Sequence, residues 1–284
     1  MSDNTHRIAL ITDSTADLPP ELAERYGIIV LPLYVVWGDD TLRDGVDISK
    51  AAFYERIGRD AEHPKTSQPT PADYEPLIRA CGCEEALIIT ISGALSGTLN
   101  SAVQAAQAAP VPVRVEDSRS VSMGLGWQVL AAARARAAGG DVDAMVAAAR
   151  AVRVSQRTFF TVDTLEYLHR GGRIGGAAKF LGTVLQLKPV LAVDSSTGRV
   201  EAVERARTRR KALKRVVEIT FEGIDCSRPV HVAVMHAAAL EDAHVLLDDV
   251  MGRCTPAEHL IGELGPVLGV HGGPGLVGMC VYTE

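Results

Sequence analysis

The chain has 284 residues, of which 47% are hydrophobic and 23% charged, and its formal net charge is −6 at pH 7. These ordinary proportions exclude a disordered chain, and the length favours two globular domains. The acidic balance argues against a general nucleic-acid-binding protein, because such proteins usually carry a basic excess. Apolar runs fall short of the ~20 residues of a membrane-spanning helix, so we expect a cytoplasmic protein without stable membrane insertion.

The cysteines bear on redox compartment and metal binding. There are five of them, an odd number, and the N-terminus carries no secretory signal, so the sequence predicts free thiols in a reducing compartment. Cys81-Gly82-Cys83 is an isolated C-x-C pair. A zinc site needs a second ligand pair at suitable spacing, so we expect no metal.

The first half of the chain alternates apolar strand-like runs with helical segments. Strands are predicted at 7–12, 28–36, 85–91 and 111–116; helices are predicted from Pro20 and at 98–108, 123–138 and 142–154. This alternation predicts a parallel sheet with helices on both faces. Ligands bind beyond the carboxyl ends of such strands, where Asp13, the 92–98 loop and Asp117 would lie.

The second half of the chain has a different pattern. Strands are predicted at 157–162, 187–193, 199–205, 229–235 and 276–282, and helices at 209–221 and 240–251. The turn at 195–198 joins two of these strands as a hairpin. The pattern predicts an α+β domain with a largely antiparallel sheet, and we place the two domains at residues 1–155 and 156–284.

Two short segments are rich in hydroxyl groups. In 65–71 (KTSQPTP), capping of the following helix accounts for Thr70 but not for Thr66 and Ser67. The segment 92–98 (SGALSGT) lies between a strand and a helix, where free backbone N–H groups attract anions and glycines let a ligand approach the backbone. It is typical of a small-anion site for phosphate or carboxylate, with a capped turn as the alternative.

Two glycine-rich segments, 163–174 and 265–275, carry Arg173 and His271. A single histidine is more often structural than functional, but a loop shaped by glycine and proline fixes a side chain at a site. Neither segment fits a nucleotide-binding motif, and GALSG is not a G-x-S-x-G nucleophile elbow. A basic cluster at 205–215 is either a solvated helix face or a docking surface for an acidic partner.

Eight segments, in this order along the chain, resemble the DegV family. They are TDSTADLP (12–19), RDGVDIS (43–49), TSQPTP (66–71), ISGALSGT (91–98), DTLEYLHRGGRI (163–174), KPVL (188–191), ARTRRKAL (206–213) and GPVLGVHGGPG (265–275). The resemblance implies two α/β domains, similar to one module of dihydroxyacetone kinases, with one long-chain (C14–C18) fatty acid bound between them. Some members are the lipid-carrying subunit of bacterial fatty acid kinase, whose separate ATP-binding subunit phosphorylates the carboxylate to an acyl phosphate.

The resemblance therefore implies a carrier rather than an enzyme, a monomer when alone, with a fatty acid as ligand and no other cofactor. Carried onto this chain, the carboxylate-binding residues are Thr66, Ser96 and His271. Further candidates near the site or the partner surface are Ser67, Gly97, Thr98, Arg173 and Arg207. The residues expected to dock the kinase are Arg209, Arg210 and Lys211. Gly272 replaces a residue that is often Thr in the family, which removes a hydroxyl.

The chemistry of a fatty acid agrees with this assignment. A buried carboxylate needs hydrogen bonds or a positive partner, and each buried methylene contributes about 0.8 kcal/mol, so the head group orients the ligand more than it holds it. Two alternatives remain open: a regulatory binding protein for another acidic lipid or small metabolite, and an acyl hydrolase using Ser96 and His271. Against the hydrolase, the sequence offers no identifiable acid to orient the histidine.

Overall fold

The secondary structure alternates strands and helices in the first half of the chain and groups strands in the second. The computed structural model describes residues 7–181 and 187–284. Its strands are β1 (Ile8–Asp13), β2 (Ile28–Leu31), β3 (Tyr34–Trp37), β4 (Asp40–Arg43), β5 (Lys65–Ser67), β6 (Glu85–Thr90), β7 (Val113–Asp117), β8 (Arg157–Thr161), β9 (Lys188–Val193), β10 (Val200–Ala206), β11 (Val230–His236), β12 (Glu258–Glu263) and β13 (Val277–Thr283). Its α-helices are α1 (Pro20–Arg25), α2 (Lys50–Arg59), α3 (Pro71–Ala80), α4 (Thr98–Ala108), α5 (Met123–Ala137), α6 (Val142–Ser155), α7 (Glu166–Arg170), α8 (Arg209–Phe221), α9 (Leu240–Met251) and α10 (Pro266–Gly272).

The first large sheet is parallel, as predicted. Its strand order is β2-β1-β6-β7 and every neighbouring pair runs in the same direction. Strands β1 and β6 are almost entirely buried, which suits strands covered on both faces. Asp13 and Asp117 end β1 and β7, and the 92–98 loop follows β6, so the predicted loops do meet at one edge of this sheet.

The second large sheet has six strands in the order β10-β9-β8-β13-β11-β12. All neighbouring pairs are antiparallel except β11 and β12, which are parallel, so the prediction of a largely antiparallel sheet is confirmed. The turn at 195–198 closes the predicted β9–β10 hairpin. Strand β12 was not predicted, because its sequence EHLIGE lacks a buried apolar run and lies half-exposed at the sheet edge.

A small antiparallel sheet, β4-β3-β5, was also missed. The run 28–36 was predicted as one strand, and this was wrong because it forms β2 in the parallel sheet and β3 in the small one. Pro32, which separates them, has no N–H for a sheet hydrogen bond and stands where one strand ends. Helix α2 covers the small sheet through Phe53, which packs with Trp37 and with Val267 of α10.

Helices α5 and α6 connect the two large sheets. Helix α5 packs on β1, β6 and β13 and is buried on nearly all sides, as expected of a helix that is apolar all round. Its Trp127 donates a hydrogen bond from Nε1 to the backbone oxygen of Cys280, 3.0 Å away. One core cluster includes both Leu10 and Tyr282, so it crosses position 155, and the predicted domain boundary there stays a prediction.

The cysteines differ from the sequence prediction. Cys81 is bonded to Cys83 and Cys226 to Cys254, and Cys280 is free and buried. The prediction of free thiols was therefore wrong for four of the five. Cys81 and Cys83 are close because they are two residues apart, whereas the fold brings together Cys226 and Cys254, which are 28 residues apart. The two pairs have Cα–Cα distances of 5.2 and 5.6 Å, within the range that a disulfide spans.

No helix in the described part of the chain combines the length and apolar character needed to span a bilayer. Within residues 7–181 and 187–284, no three His, Cys, Asp or Glu side chains are grouped so that they could hold a metal ion.

Candidate functional site

A mostly apolar cavity lies where the carboxyl edge of the parallel sheet meets one face of the six-stranded sheet. It contains about 960 Å³ of non-atom space, a figure that includes space open to solvent. Its apolar walls include Leu95, Val121, Phe160, Leu264, Leu276 and Met279. Its polar lining residues are Thr66, Ser67, Gln68, Ser96, Ser122, Thr158, Arg173 and His271.

Two of the predicted carboxylate-binding residues are in direct contact. Thr66 belongs to β5, which is held in place by pairing with β3, where Thr66 lies opposite Val35. His271 lies in the last turn of α10, and its Nε2 is 2.8 Å from Oγ1 of Thr66. The prediction that His271 sits on a loop was wrong, because Val267 and Val270 bury one face of this short helix despite its glycines.

His271 is neutral at neutral pH. Burial lowers its pKa to about 4, and the positive charge of Arg173 and the nearby His63 act in the same direction. Its Nδ1 is buried and has no hydrogen-bond partner among the described residues. A Cβ on Gly171 would lie only 2.1 Å from Nδ1, so a glycine at this position is needed for the imidazole to fit.

Ser96 reaches the same cavity from the loop between β6 and α4. The backbone N–H groups of Leu95 and Ser96 donate to the oxygen of Ser92, and Ser96 Oγ lies 2.9 Å from Oγ1 of Thr98. The start of the loop is held by Asp13, whose Oδ2 accepts the Ile91 N–H at 2.8 Å. Burial raises the pKa of Asp13 to about 6.

The neighbours of these residues divide into two groups. Ser67 lines the cavity beside Thr66, whereas Thr98 is fully buried behind Ser96 and is not part of the wall. Gly97 lies under the Gln68 amide, since a Cβ there would come within 2.8 Å of Gln68 Nε2. Gln68 was not predicted as a site residue, although its position close to Thr66 in TSQPTP was a signal.

The predicted arginines are in different surroundings. Arg173 lines the cavity and donates to the backbone oxygens of Leu95 (2.9 Å) and Gly171 (2.7 Å), so it ties the walls on either side of the head-group residues. Arg207 is not at this cavity. It lines a separate charged groove together with Lys211.

The three residues expected to dock the kinase differ in exposure and in their contacts. Arg209 is 22% exposed in its side chain and forms an ion pair with Asp242 at 2.7 Å and a hydrogen bond to the backbone oxygen of Gly275. The structure therefore differs from the prediction here, because Arg209 holds α8 against its neighbours rather than presenting a free charge. Arg210 and Lys211 are exposed.

A buried carboxylate connects the cavity wall to α10. Asp17 accepts a hydrogen bond from the Ser122 hydroxyl at 2.7 Å and another from the Gly265 N–H, immediately before α10, at 2.8 Å. Burial raises the pKa of Asp17 to about 7, although Lys50 and the two donors oppose the shift. No sequence signal pointed to these contacts, because Ser122 and Gly265 are 105 and 248 residues away from Asp17 in the chain.

Comparison with known proteins gives matches along almost the whole chain. A model for uncharacterised proteins of the DegV family matches residues 7–284. A DegV domain-containing protein of Streptomyces coelicolor is 41% identical over 284 residues, which cover 99% of this chain and all of that one. Protein DegV of Bacillus subtilis is 32% identical over 277 residues, covering 96% of this chain and 98% of the relative.

Solved structures give the same result. A DegV family protein from Thermus thermophilus, described as fatty acid binding, superposes with a TM-score of 0.91 at 38% identity, covering 98% of this chain and 100% of that one. DegV from Bacillus subtilis, described as a fatty acid binding protein, gives 0.87 at 31% identity, covering 98% and 99%. The sequence and structure matches together show that this chain belongs to the DegV family.

Proposed function

We propose that this protein binds one long-chain fatty acid, with its carboxylate beside Thr66, Ser96 and His271 and its tail along the apolar walls. The observation that carries the proposal is a cavity of largely aliphatic lining that has a Thr66–His271 hydrogen bond in its wall. Such a cavity suits a ligand with one polar end and a long apolar remainder. The fatty acids bound by the Thermus thermophilus and Bacillus subtilis relatives support the same ligand class.

The head-group residues can bind a carboxylate without adding a full positive charge. In the tautomer of neutral His271 that carries its hydrogen on Nε2, the imidazole donates to Thr66 Oγ1, and the Thr66 hydroxyl hydrogen is then free for a ligand oxygen. Ser96 supplies a second hydroxyl. Arg173 lies nearby and adds a favourable field, although backbone oxygens occupy part of its guanidinium.

The tail supplies most of the binding free energy. At about 0.8 kcal/mol per buried methylene, fifteen methylenes contribute roughly 12 kcal/mol before the costs of association. Removing the hydroxyls should therefore weaken binding and loosen the position of the carboxylate, while an apolar chain of the right length still enters the cavity.

The contacts favour binding over hydrolysis. A serine hydrolase needs its nucleophile within hydrogen-bond reach of the base, but the side-chain contact of Ser96 is Thr98 and that of His271 is Thr66. Nδ1 of His271, which a triad acid would engage, has no partner in the described part of the chain. The third hypothesis, a regulatory protein for another acidic lipid or metabolite, is an outcome of the binding experiment below.

We further propose that the bound carboxylate is presented to a separate ATP-dependent kinase, which forms the acyl phosphate. Support comes from the exposed Arg210 and Lys211 on α8, which offer positive charge to an acidic partner surface. With Arg209 engaged by Asp242, the proposed docking surface consists of Arg210 and Lys211, with Arg207 beside the same groove.

Native mass spectrometry of the purified protein tests the binding proposal. We expect one added mass per chain, released and identified as a C14–C18 acid, and rebinding of stearic acid after delipidation. The Thr66→Val/Ser96→Ala variant should bind at least ~10-fold more weakly, since two hydrogen bonds to a charged group are lost. Thr41→Val is the matched control, because Thr41 is exposed on β4 of the same small sheet. A folded, lipid-free protein that ignores stearic acid but binds another acidic compound would replace this ligand assignment.

The kinase step has its own experiment. The lipid-loaded protein is incubated with ATP and hydroxylamine, which traps an acyl phosphate as a hydroxamate, with and without an extract of the organism that encodes it. We expect hydroxamate only with the extract, and less of it after Arg210→Glu/Lys211→Glu. Hydroxamate formed by the protein and ATP alone would contradict a separate kinase, and none under either condition would remove the kinase and leave the binding proposal standing.

A further inference from the structure

The cavity wall carries a hydroxyl that the carboxylate site does not use. Thr158 of β8 lines the cavity and is only 8% exposed. Apart from the Cys280 thiol beside it, its buried Oγ1 has no hydrogen-bond partner within residues 7–181 and 187–284. Ser122, which also lines the cavity, differs in this respect because its hydroxyl donates to Asp17.

The sheet register places Thr158 away from the head group. Strand β13 follows α10, whose last turn holds His271, and it runs antiparallel to β8 with Gly278 opposite Phe160 and Cys280 opposite Thr158. Two residues along a strand correspond to roughly 6–7 Å. Thr158 therefore lies that much further than Phe160 from the α10 end of β13. We expect the acyl chain, rather than the carboxylate, to reach it.

A second buried hydroxyl, that of Ser120, lies close to Thr158 over Gly124 of α5. A Cβ on Gly124 would lie 3.0 Å from Thr158 Oγ1 and 2.2 Å from Oγ of Ser120, a second buried hydroxyl without a hydrogen-bond partner in the described residues. The missing side chain of Gly124 in α5 therefore provides the space that the Ser120 and Thr158 hydroxyls occupy against this helix. The thiol of Cys280, opposite Thr158 on β13, is only a weak hydrogen-bonding group and does not replace a full oxygen partner.

A buried hydroxyl whose neighbour is only a thiol remains poorly satisfied unless an oxygen or nitrogen partner reaches it. An unsubstituted acyl chain provides no such partner, whereas a hydroxyl or keto oxygen on the chain would accept from or donate to Thr158. We propose that the cavity selects fatty acids that carry an oxygen substituent along the chain, recognised by Thr158. This inference rests on the proposed fatty acid binding and narrows its ligand class.

The test compares stearic acid with a series of hydroxystearic acids whose hydroxyl is moved along the chain, each titrated into delipidated protein. We expect one positional isomer to bind about 3- to 10-fold more tightly than stearic acid, the worth of one hydrogen bond. Thr158→Val should remove that advantage, so that the variant binds this isomer no more tightly than it binds stearic acid. Thr161→Val is the matched control: Thr161 lies on the same strand with an unpartnered, buried hydroxyl but outside the cavity wall.

The outcomes separate this inference from the function it rests on. If stearic acid binds and no isomer binds better, or if Thr158→Val keeps the advantage, the inference is overturned and the Thr158 hydroxyl pairs with water. If Thr161→Val loses the advantage equally, the effect belongs to β8 packing rather than to recognition, which also overturns it. If neither stearic acid nor any isomer binds, the proposed function itself fails.

Discussion

The replacement of Asp17 by asparagine should change how the stability of this protein depends on pH. The Asp17 carboxyl is fully buried, accepts from Gly265 N–H and from Ser122, and has its pKa raised from 3.8 to about 7, mainly because burial disfavours the charged form. Asp13 and Asp44 are also buried, and burial raises the pKa of each to about 6. The three carboxyls therefore hold protons in the folded state at a pH where the unfolded chain has lost them.

The sign follows from this difference in proton binding. Between about pH 4 and pH 7 the folded state holds the Asp17 proton and the unfolded state does not, so the free energy of unfolding falls as the pH rises. For one group the slope is about 1.4 kcal/mol per pH unit, and it levels off above the folded pKa. Asparagine at position 17 has no proton to lose but still accepts a hydrogen bond from Gly265 N–H. The free energy of unfolding of Asp17→Asn should therefore fall with pH less steeply than that of the wild type, by about 1.4 kcal/mol per pH unit.

Urea unfolding followed by the fluorescence of buried Trp127, at pH 5, 6, 7 and 8, measures this difference. Background titrations are common to both proteins and cancel when the two curves are subtracted. Asp47→Asn is the matched control, because Arg43 lowers the pKa of this surface carboxyl to about 2, below the tested window. Equal slopes for the wild type and Asp17→Asn would refute the reasoning.

Two further predictions concern the arginine cluster and the head-group loop. Arg209→Gln should lower the free energy of unfolding by about 1–3 kcal/mol, since it removes charge-assisted hydrogen bonds. Lys211→Gln should change the free energy of unfolding by no more than about 0.5 kcal/mol in the same urea titration. Equal effects of the two substitutions would contradict the assigned roles. Gly97→Ala should displace the Gln68 amide and weaken stearic acid binding ~2- to 10-fold, whereas Gly58→Ala, whose added Cβ meets nothing within 4 Å, should leave binding unchanged.

The parallel sheet could be predicted because each of its buried strands needs a run of apolar residues, which is visible within the strand's own sequence. Strands buried on both faces need continuous apolar runs, and β1 and β6 have them. The small sheet could not be predicted in the same way. Strand β5 has only the residues KTS, and it is a strand because β3 pairs with it, which depends on the interruption of the strand run at Pro32.

The candidate site was predictable where a motif is local and not where the fold assembles it. Thr66, Ser96 and Arg173 stand in polar or glycine-rich segments and do line one cavity. Thr158 lies in an apolar strand sequence, RTFFT, where its hydroxyl gives no local signal. The role that we propose for it depends on its place in the cavity wall and on its register with Cys280, and neither can be read from residues near it in the chain.

The proposed carboxylate site contains a neutral histidine rather than a fixed cation. A carboxylate paired with a fixed cation is stabilised as an ion and is correspondingly less reactive toward a phosphoryl group, whereas neutral donors orient it and leave its charge on the oxygens. Burial lowers the pKa of His271 to about 4, and the guanidinium of Arg173 is partly engaged by backbone oxygens. Tail burial can supply the affinity, so the head group is free to be weak. That division of roles is what we expect if the protein presents its ligand to a kinase, as we propose.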